Sequence, residues 1–209
     1  MDTFNVSPPE HAQFLLNTSL DGWTTRDGKS PAWYVEDEVL HVVPGAGDIM
    51  TKTKYNDFYL HIEFRCPDMP EATGQAKGNS GVFLQGRYEI QVLDSHGFST
   101  PGRGDCGAIY NQHAPLINAC RPAMEWQSYD VGFRAPRRGQ TSHPSLTVFH
   151  NGWLIHNNIE LLGVTGAAID EETFSHGPLL LQDHNDLVCY RNIWILELPL
   201  SGSDNYEPS

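Results

Sequence analysis

Between Tyr59 and Arg65 the chain alternates strictly: Leu60, Ile62 and Phe64 fall on one side of an extended backbone, and His61, Glu63 and Arg65 fall on the other. Successive side chains of a β-strand point to opposite faces, so this stretch reads as a strand with one apolar and one polar face. The same period returns at Tyr88–Leu93, where Tyr88, Ile90 and Val92 oppose Glu89 and Gln91. Gly81–Gln85 precedes it across Gly86. Trp33–Glu36 and Val39–Val43 flank Asp37 as a hairpin. Leu146–His150 and Trp153–His156 flank Asn151-Gly152, a dipeptide that favours a type I′ turn because both positions need positive φ. Trp126–Arg134, Leu179–Gln182 and Asn192–Leu198 complete the set. Only Pro8–Leu16 reads as a short helix, with Ser7 as N-cap and Pro8 in the first turn. Many short strands, turns punctuated by 19 Gly and 14 Pro, and no βαβ spacing predict an all-β fold: an antiparallel two-sheet jelly-roll sandwich.

The length of 209 residues suits one domain, expected over 14–200, with polar tails over 1–13 and 201–209. Twenty-six acidic against 13 basic residues give a net charge of −13, which argues against a nucleic-acid or anionic-membrane surface. No apolar run reaches the ~18 residues of a membrane span. Met1–Glu10 lacks the basic and apolar regions of a signal peptide, so the sequence as it stands reads as cytoplasmic, or as periplasmic or secreted if a signal was removed. The four cysteines, Cys66, Cys106, Cys120 and Cys189, read as free buried thiols; if any pair is bridged, Cys106–Cys120 is the one in loop-like sequence.

Several familiar chemistries are absent. Gly78-Asn79-Ser80-Gly81 lacks the surroundings of a serine nucleophile, and Gly45-Ala46-Gly47 lacks the third glycine and the helix of a dinucleotide loop. Polar residues on strand faces are more informative. Glu63 with Arg65 on one strand, and Glu89 with Gln91 on another, would equip a sugar-binding face with carboxylates and amides. Glu89-Ile90-Gln91-Val92-Leu93-Asp94 is similar to the alternating acidic strand of jelly-roll glucanases, but Gln91 stands where that pattern has its middle acid. The ordinary retaining mechanism therefore does not transfer. Gln182-Asp183-His184-Asn185 follows an apolar run, so it sits at a strand end, where a rigid element can present polar groups.

Taken in order, these segments resemble the 3-keto-disaccharide hydrolase family, which has a concanavalin A-like jelly roll. The resemblance runs from about Phe14 to Leu198. It is carried by Leu20-Asp21-Gly22-Trp23, Asp57–Arg65, Gly78–Phe83, Tyr88–Asp94, Gly107-Ala108-Ile109-Tyr110, Glu125–Asp130, His150-Asn151-Gly152, Gly177–His184 and Tyr190–Trp194. Members typically begin with an export signal, and this chain shows none.

The resemblance implies cleavage of a glycoside whose sugar carries a ketone at C3, placed there by a separate sugar 3-dehydrogenase. The ketone acidifies the C2 proton and makes the C1 substituent a β-leaving group. A base, an electrophile for the enolate oxygen and an acid for the leaving group then suffice, with β-elimination alone or with water addition giving net hydrolysis. A non-catalytic carbohydrate-binding module on the same fold is the other reading. The expected catalytic residues are His184, Glu63 and Glu89, converging on one pocket. Arg65, Asn79, Gln91, Tyr110, Trp126 and Gln182 are expected to bind substrate. The resemblance also implies a divalent metal, Mg²⁺, Mn²⁺ or Ca²⁺, on Glu63, Glu89 and His184. No nucleotide cofactor is expected. Glu63, Glu89 and Gln91 are expected on one concave face, with Leu60, Ile62, Ile90 and Val92 between the sheets.

Overall fold

A computed structural model describes residues 7–139 and 143–199. The expected tail at 201–209, and the first six residues of the tail at 1–13, lie outside the described residues. Among the described residues thirteen strands form two antiparallel sheets: β1 (Gln13–Phe14), β2 (Trp23–Thr25), β3 (Tyr34–Glu36), β4 (Val39–His41), β5 (Ile49–Thr51), β6 (Phe58–Arg65), β7 (Ser80–Leu84), β8 (Tyr88–Val92), β9 (Gln127–Arg134), β10 (Ser145–His150), β11 (Trp153–Glu160), β12 (Leu180–Leu181) and β13 (Cys189–Glu197). The larger sheet runs β11-β10-β9-β6-β13-β4-β3, with β1 also on β13; the smaller runs β2-β5-β12-β7-β8. Consecutive strands pair at β3-β4, β7-β8 and β9-β10-β11, whereas β13 lies between β6 and β4, and β12 between β5 and β7, the crossing pattern of a jelly roll. Among the described residues the helical structure is one 3₁₀ turn, Gly74–Ala76.

Strand alternation sets the core. Leu60, Ile62 and Phe64 of β6 meet Val82, Tyr88, Ile90 and Val92 of the smaller sheet in one buried cluster, as their apolar period requires. Each such side chain contributes about 1.5–3 kcal/mol by leaving water. The hairpins follow their turn chemistry. Asn151 and Gly152 take φ of 52° and 80°, and Asp37 and Glu38 take 48° and 62°, the left-handed pair that a two-residue hairpin needs. All four thiols are buried and free.

The N-terminal helix does not form. His11 turns the chain with φ of 71°, and Gln13 and Phe14 then pair with Ile195 and Trp194. Pro8 and Pro9 each lack an N–H, and a free edge of β13 offers backbone partners that a two-turn helix in water could not match. Strands β2 and β5, unforeseen from the sequence, are three residues each, too short to show a period.

Candidate active site

The expected site residues divide between two faces. Glu63, on β6 in the larger sheet, alternates with core residues and so points outward. Glu89, on β8 in the smaller sheet, does the same. Outward on the two sheets means opposite sides of the sandwich, so Glu63 and Glu89 cannot meet, and the expected convergence of Glu63, Glu89 and His184 is not found. The shared face expected for Glu63 with Glu89 and Gln91 fails for the same reason. Arg65 and Trp126 go with Glu63: the Arg65 guanidinium lies 4.9 Å from the Trp126 ring centroid.

On its face the Glu63 carboxylate is fully engaged by its neighbours. The Glu63 side chain is fully buried, and its Oε2 accepts from Arg191 Nε at 2.6 Å. Its Oε1 accepts from Asn192 Nδ2 at 3.0 Å and lies 3.6 Å from His61 Nε2. His61 Nδ1 is 2.7 Å from Asp130 Oδ1, and Trp194 stacks on its ring at 5.2 Å. Burial alone would push the His61 imidazole down. The Asp130 and Glu63 carboxylates outweigh it and hold the group up at about 9, so His61 is a buried imidazolium between two anions. Glu63, His61 and Asp130 are tied to one another, which suits a structural clamp, while Trp194 Nε1 is buried with no hydrogen-bond partner among the described residues.

The Glu89 face is different. β8 lies between β7 and the segment 107–110: Gln91 N–H donates to Ala108 C=O, Gly107 N–H to Gln91 C=O, and Tyr110 N–H to Glu89 C=O. Since Ile90 pairs with Ile109 in the core, Tyr110 shares the outward side with Glu89. On the other flank β7 pairs with β12, and Gln182 N–H continues the ladder by donating to Gly81 C=O. Leu181 is in the core, so Gln182 faces outward. Asn79 closes the row. Gln91 Nε2 donates to Asn79 Oδ1 at 3.0 Å, and Asn79 Nδ2 donates to Gln75 C=O at 2.7 Å. Glu89, Gln91, Asn79, Tyr110 and Gln182 therefore belong to one face.

His184 stands on the loop after β12. Asp183 Oδ2 accepts from Gly47 N–H at 2.8 Å on one side, and Asp186 Oδ2 accepts from Asn79 N–H at 2.7 Å on the other. The loop is thus tied across the β12 end of the Glu89 face, and His184 itself is exposed.

The Glu89 residue is only 3% exposed, and burial, with the nearby Asp48 charge, pushes its carboxyl up to about 8. The side chains of Glu89, Gln182 and His184 and the Tyr110 hydroxyl make no hydrogen bond to any described residue. Glu89 is buried, Tyr110 and Gln182 are half-buried and His184 is exposed; a buried carboxyl without a partner is uncommon, and a ligand laid on this face would supply one. Asp48 was missed from the sequence; it acts from the end of a short strand, with only a charge two sheet neighbours from β7 to betray it. Gly81 was missed as well, because its role is the space that it leaves.

Glu63, Glu89 and His184 do not fit a metal: two of the three lie on opposite faces. Among the described residues no group of three or more His, Cys, Asp or Glu side chains is arranged to hold one.

A two-sheet sandwich with a rigid polar face of carboxyl, amides and phenol is an architecture that suits a carbohydrate-active protein. Comparison places it more closely. The 3-keto-alpha-glucoside-1,2-lyase-like domain matches residues 11–196, and the chain belongs to that family. A crystal structure of a candidate glycosyl hydrolase from Parabacteroides distasonis is 40% identical, with a TM-score of 0.81 over 91% of this chain and 85% of that one. Two more candidate glycosyl hydrolases of that organism share the fold. One is 21% identical, with a TM-score of 0.65 over 89% of this chain and 93% of the other. The second is 22% identical, with a TM-score of 0.63 over 90% and 99%. No curated protein matches the chain.

Proposed function

We propose that the protein cleaves the glycosidic bond of a 3-keto-glycoside by C2 deprotonation and β-elimination, with water addition giving net hydrolysis. The observation that carries this reading is the Glu89 carboxyl: buried, unpaired, and raised to about 8, hence neutral at pH 7. A carboxylate beside the C3 oxygen would oppose the negative charge that develops there. A neutral carboxylic acid instead donates to that oxygen, and a preorganised donor in a dry site is worth several kcal/mol.

In this reading His184 takes the C2 proton. The electron pair of the C2–H bond forms the C2=C3 enolate, whose oxygen accepts the Glu89 O–H. Collapse of the enolate breaks the C1–O bond, and the aglycone oxygen leaves with the proton now on His184. Water added across the resulting C1=C2 bond restores a 3-keto sugar. Asn79 and Gln91, locked by their mutual hydrogen bond, orient ring hydroxyls together with Gln182 and Tyr110. A preceding enzyme must oxidise C3, so the partner reaction is a sugar 3-dehydrogenase. No step needs an ion held by Glu63, Glu89 and His184, consistent with their separation.

The test follows the C2 hydrogen. A 3-keto disaccharide deuterated at C2 is incubated with the protein in ordinary water, and the released sugars are weighed by mass spectrometry. The proposal expects free aglycone sugar and loss of the label from C2. Release with the label retained would overturn the elimination route, and sugar binding without release would make this a binding module.

A further inference from the structure

We propose that the gap beside β13 is a second carbohydrate-binding site, separate from the Glu89 face. One edge of β13 is shared by two strands. β4 pairs with it at Cys189 and Tyr190, and β1 pairs with it at Trp194 and Ile195. Beside the gap between them β13 is bulged: its register with β6, on the other edge, shifts between Arg191 and Trp194, with Asn192 at φ of 44°. A cleft of about 780 Å³ opens there, framed by Phe14 of β1, the Asp37-Glu38 turn of the β3–β4 hairpin, Asn17, and Arg191 with Asn192. That volume lies within the usual range of small-molecule sites, a few hundred to ~1,000 Å³.

The wall is built in advance. Arg191 Nε is fixed on the buried Glu63 at 2.6 Å, and its guanidinium lies 4.2 Å from the Trp126 ring centroid. Its remaining N–H groups make no bond to a described residue. Asp37 and Glu38 likewise form no ion pair or side-chain hydrogen bond with one. Phe14 is 52% exposed. A guanidinium donor and two carboxylate acceptors lining one cleft, with amides and an open aromatic ring, match a sugar: each hydroxyl both donates and accepts, and the ring's C–H face packs on an aromatic face. An anion would meet Asp37, Glu38 and a chain of net charge −13. A cation would meet Arg191.

None of the cleft residues belongs to the smaller sheet. A sugar held here is therefore not the ring undergoing reaction at Glu89, and the site serves to hold a separate saccharide or a distant part of a long one.

The test is titration of the full chain with maltotriose and with cellotriose, neither carrying a C3 ketone, followed through backbone amide NMR shifts. Saturable shifts at Phe14–Asn17, Asp37–Val39 and Arg191–Asn192 are expected from at least one of them. The Asp37→Asn/Glu38→Gln double variant should bind about tenfold or more weakly, the cost of losing charged hydrogen bonds, while its turnover of a 3-keto disaccharide stays within about twofold of the wild type, as expected for a remote change. Shifts confined to residues 79–110 and 182–186, affinity unchanged in the double variant, or no shift with either sugar would each overturn the proposal.

Discussion

A β-carbon on Gly81 would lie 2.6 Å from Glu89 Oε1 and 2.8 Å from the Phe83 ring. The bare backbone of β7 is the floor on which the Glu89 carboxyl rests, reaching across the sheet towards β12. Gly81→Ala should therefore displace the carboxyl rather than unfold the protein. Misplacing a reacting group by ~1 Å costs about 10²-fold in rate. We expect kcat/KM on a 3-keto disaccharide to fall by about that factor while the far-UV CD spectrum is retained.

Replacing Glu89 separates its two effects. Burial and the Asp48 charge raise its carboxyl from the ordinary 4.5 of a free glutamate to about 8 in the folded chain. Below pH ~4.5 the group is neutral in both states and costs nothing; the cost appears as the unfolded carboxyl ionises, grows with pH and is full above about 8. Glu89→Gln should raise Tm, more at pH 8 than at pH 5. The same change should lower activity, since an amide donates less strongly than a carboxylic acid. A Tm gain equal at both pH values would contradict the assignment. In the wild type, activity should fall as pH rises through about 8, where the acid loses its proton.

His61 gives the opposite dependence from ordinary imidazole behaviour. Its folded value, about 9, lies above the ordinary 6.5 of a free histidine, so its contribution is complete below pH ~6.5 and is lost as pH rises through about 9. In the Glu89→Gln background, thermal melts between pH 7 and pH 9.5 should show a loss on the order of 1 kcal/mol or more, about 2–4 °C for a chain of this size. Asp130→Asn removes one of the two anions and should move the loss to lower pH.

His184→Ala should lower turnover by about 10²–10⁴-fold if the imidazole moves the C2 proton. His184 is exposed and outside the strands, so Tm should change little, and single-turnover assays on the folded variant check the rate. Unchanged turnover would remove His184 from the mechanism.

The strands of the core were legible because β6 and β8 carry a clean two-residue period, and Asn151-Gly152 announces its own turn. Glu89, Gln91, Asn79, Tyr110 and Gln182 were also named from the sequence, whereas Asp48, Gly81 and Phe83, which pairs with Glu89, were not. What the sequence did not convey is which sheet each strand joins. Alternation says that Glu63 and Glu89 both leave the core, but the side from which they leave depends on pairing across 26 residues of chain, and no local pattern encodes it. The outward polar groups looked alike as letters. Only their partners tell them apart: Arg191 and Asn192 occupy Glu63, whereas nothing described occupies the Glu89 carboxyl. The missed helix at Pro8–Leu16 is a similar case, a local preference overruled by an open edge on β13.

The central claim is that chemistry belongs to the Glu89 face and that the Glu63 cluster is structural. The most direct measurement is free-sugar release from a 3-keto disaccharide by Glu89→Leu and by Asp130→Asn, each checked for folding by CD. The account predicts a loss of about 10²–10³-fold in kcat for Glu89→Leu, as for removal of one donor to a developing oxyanion, and near wild-type kcat for Asp130→Asn at a temperature below its Tm. Wild-type turnover by Glu89→Leu, or a comparable collapse of kcat in folded Asp130→Asn, would place the chemistry on the opposite face and contradict the account.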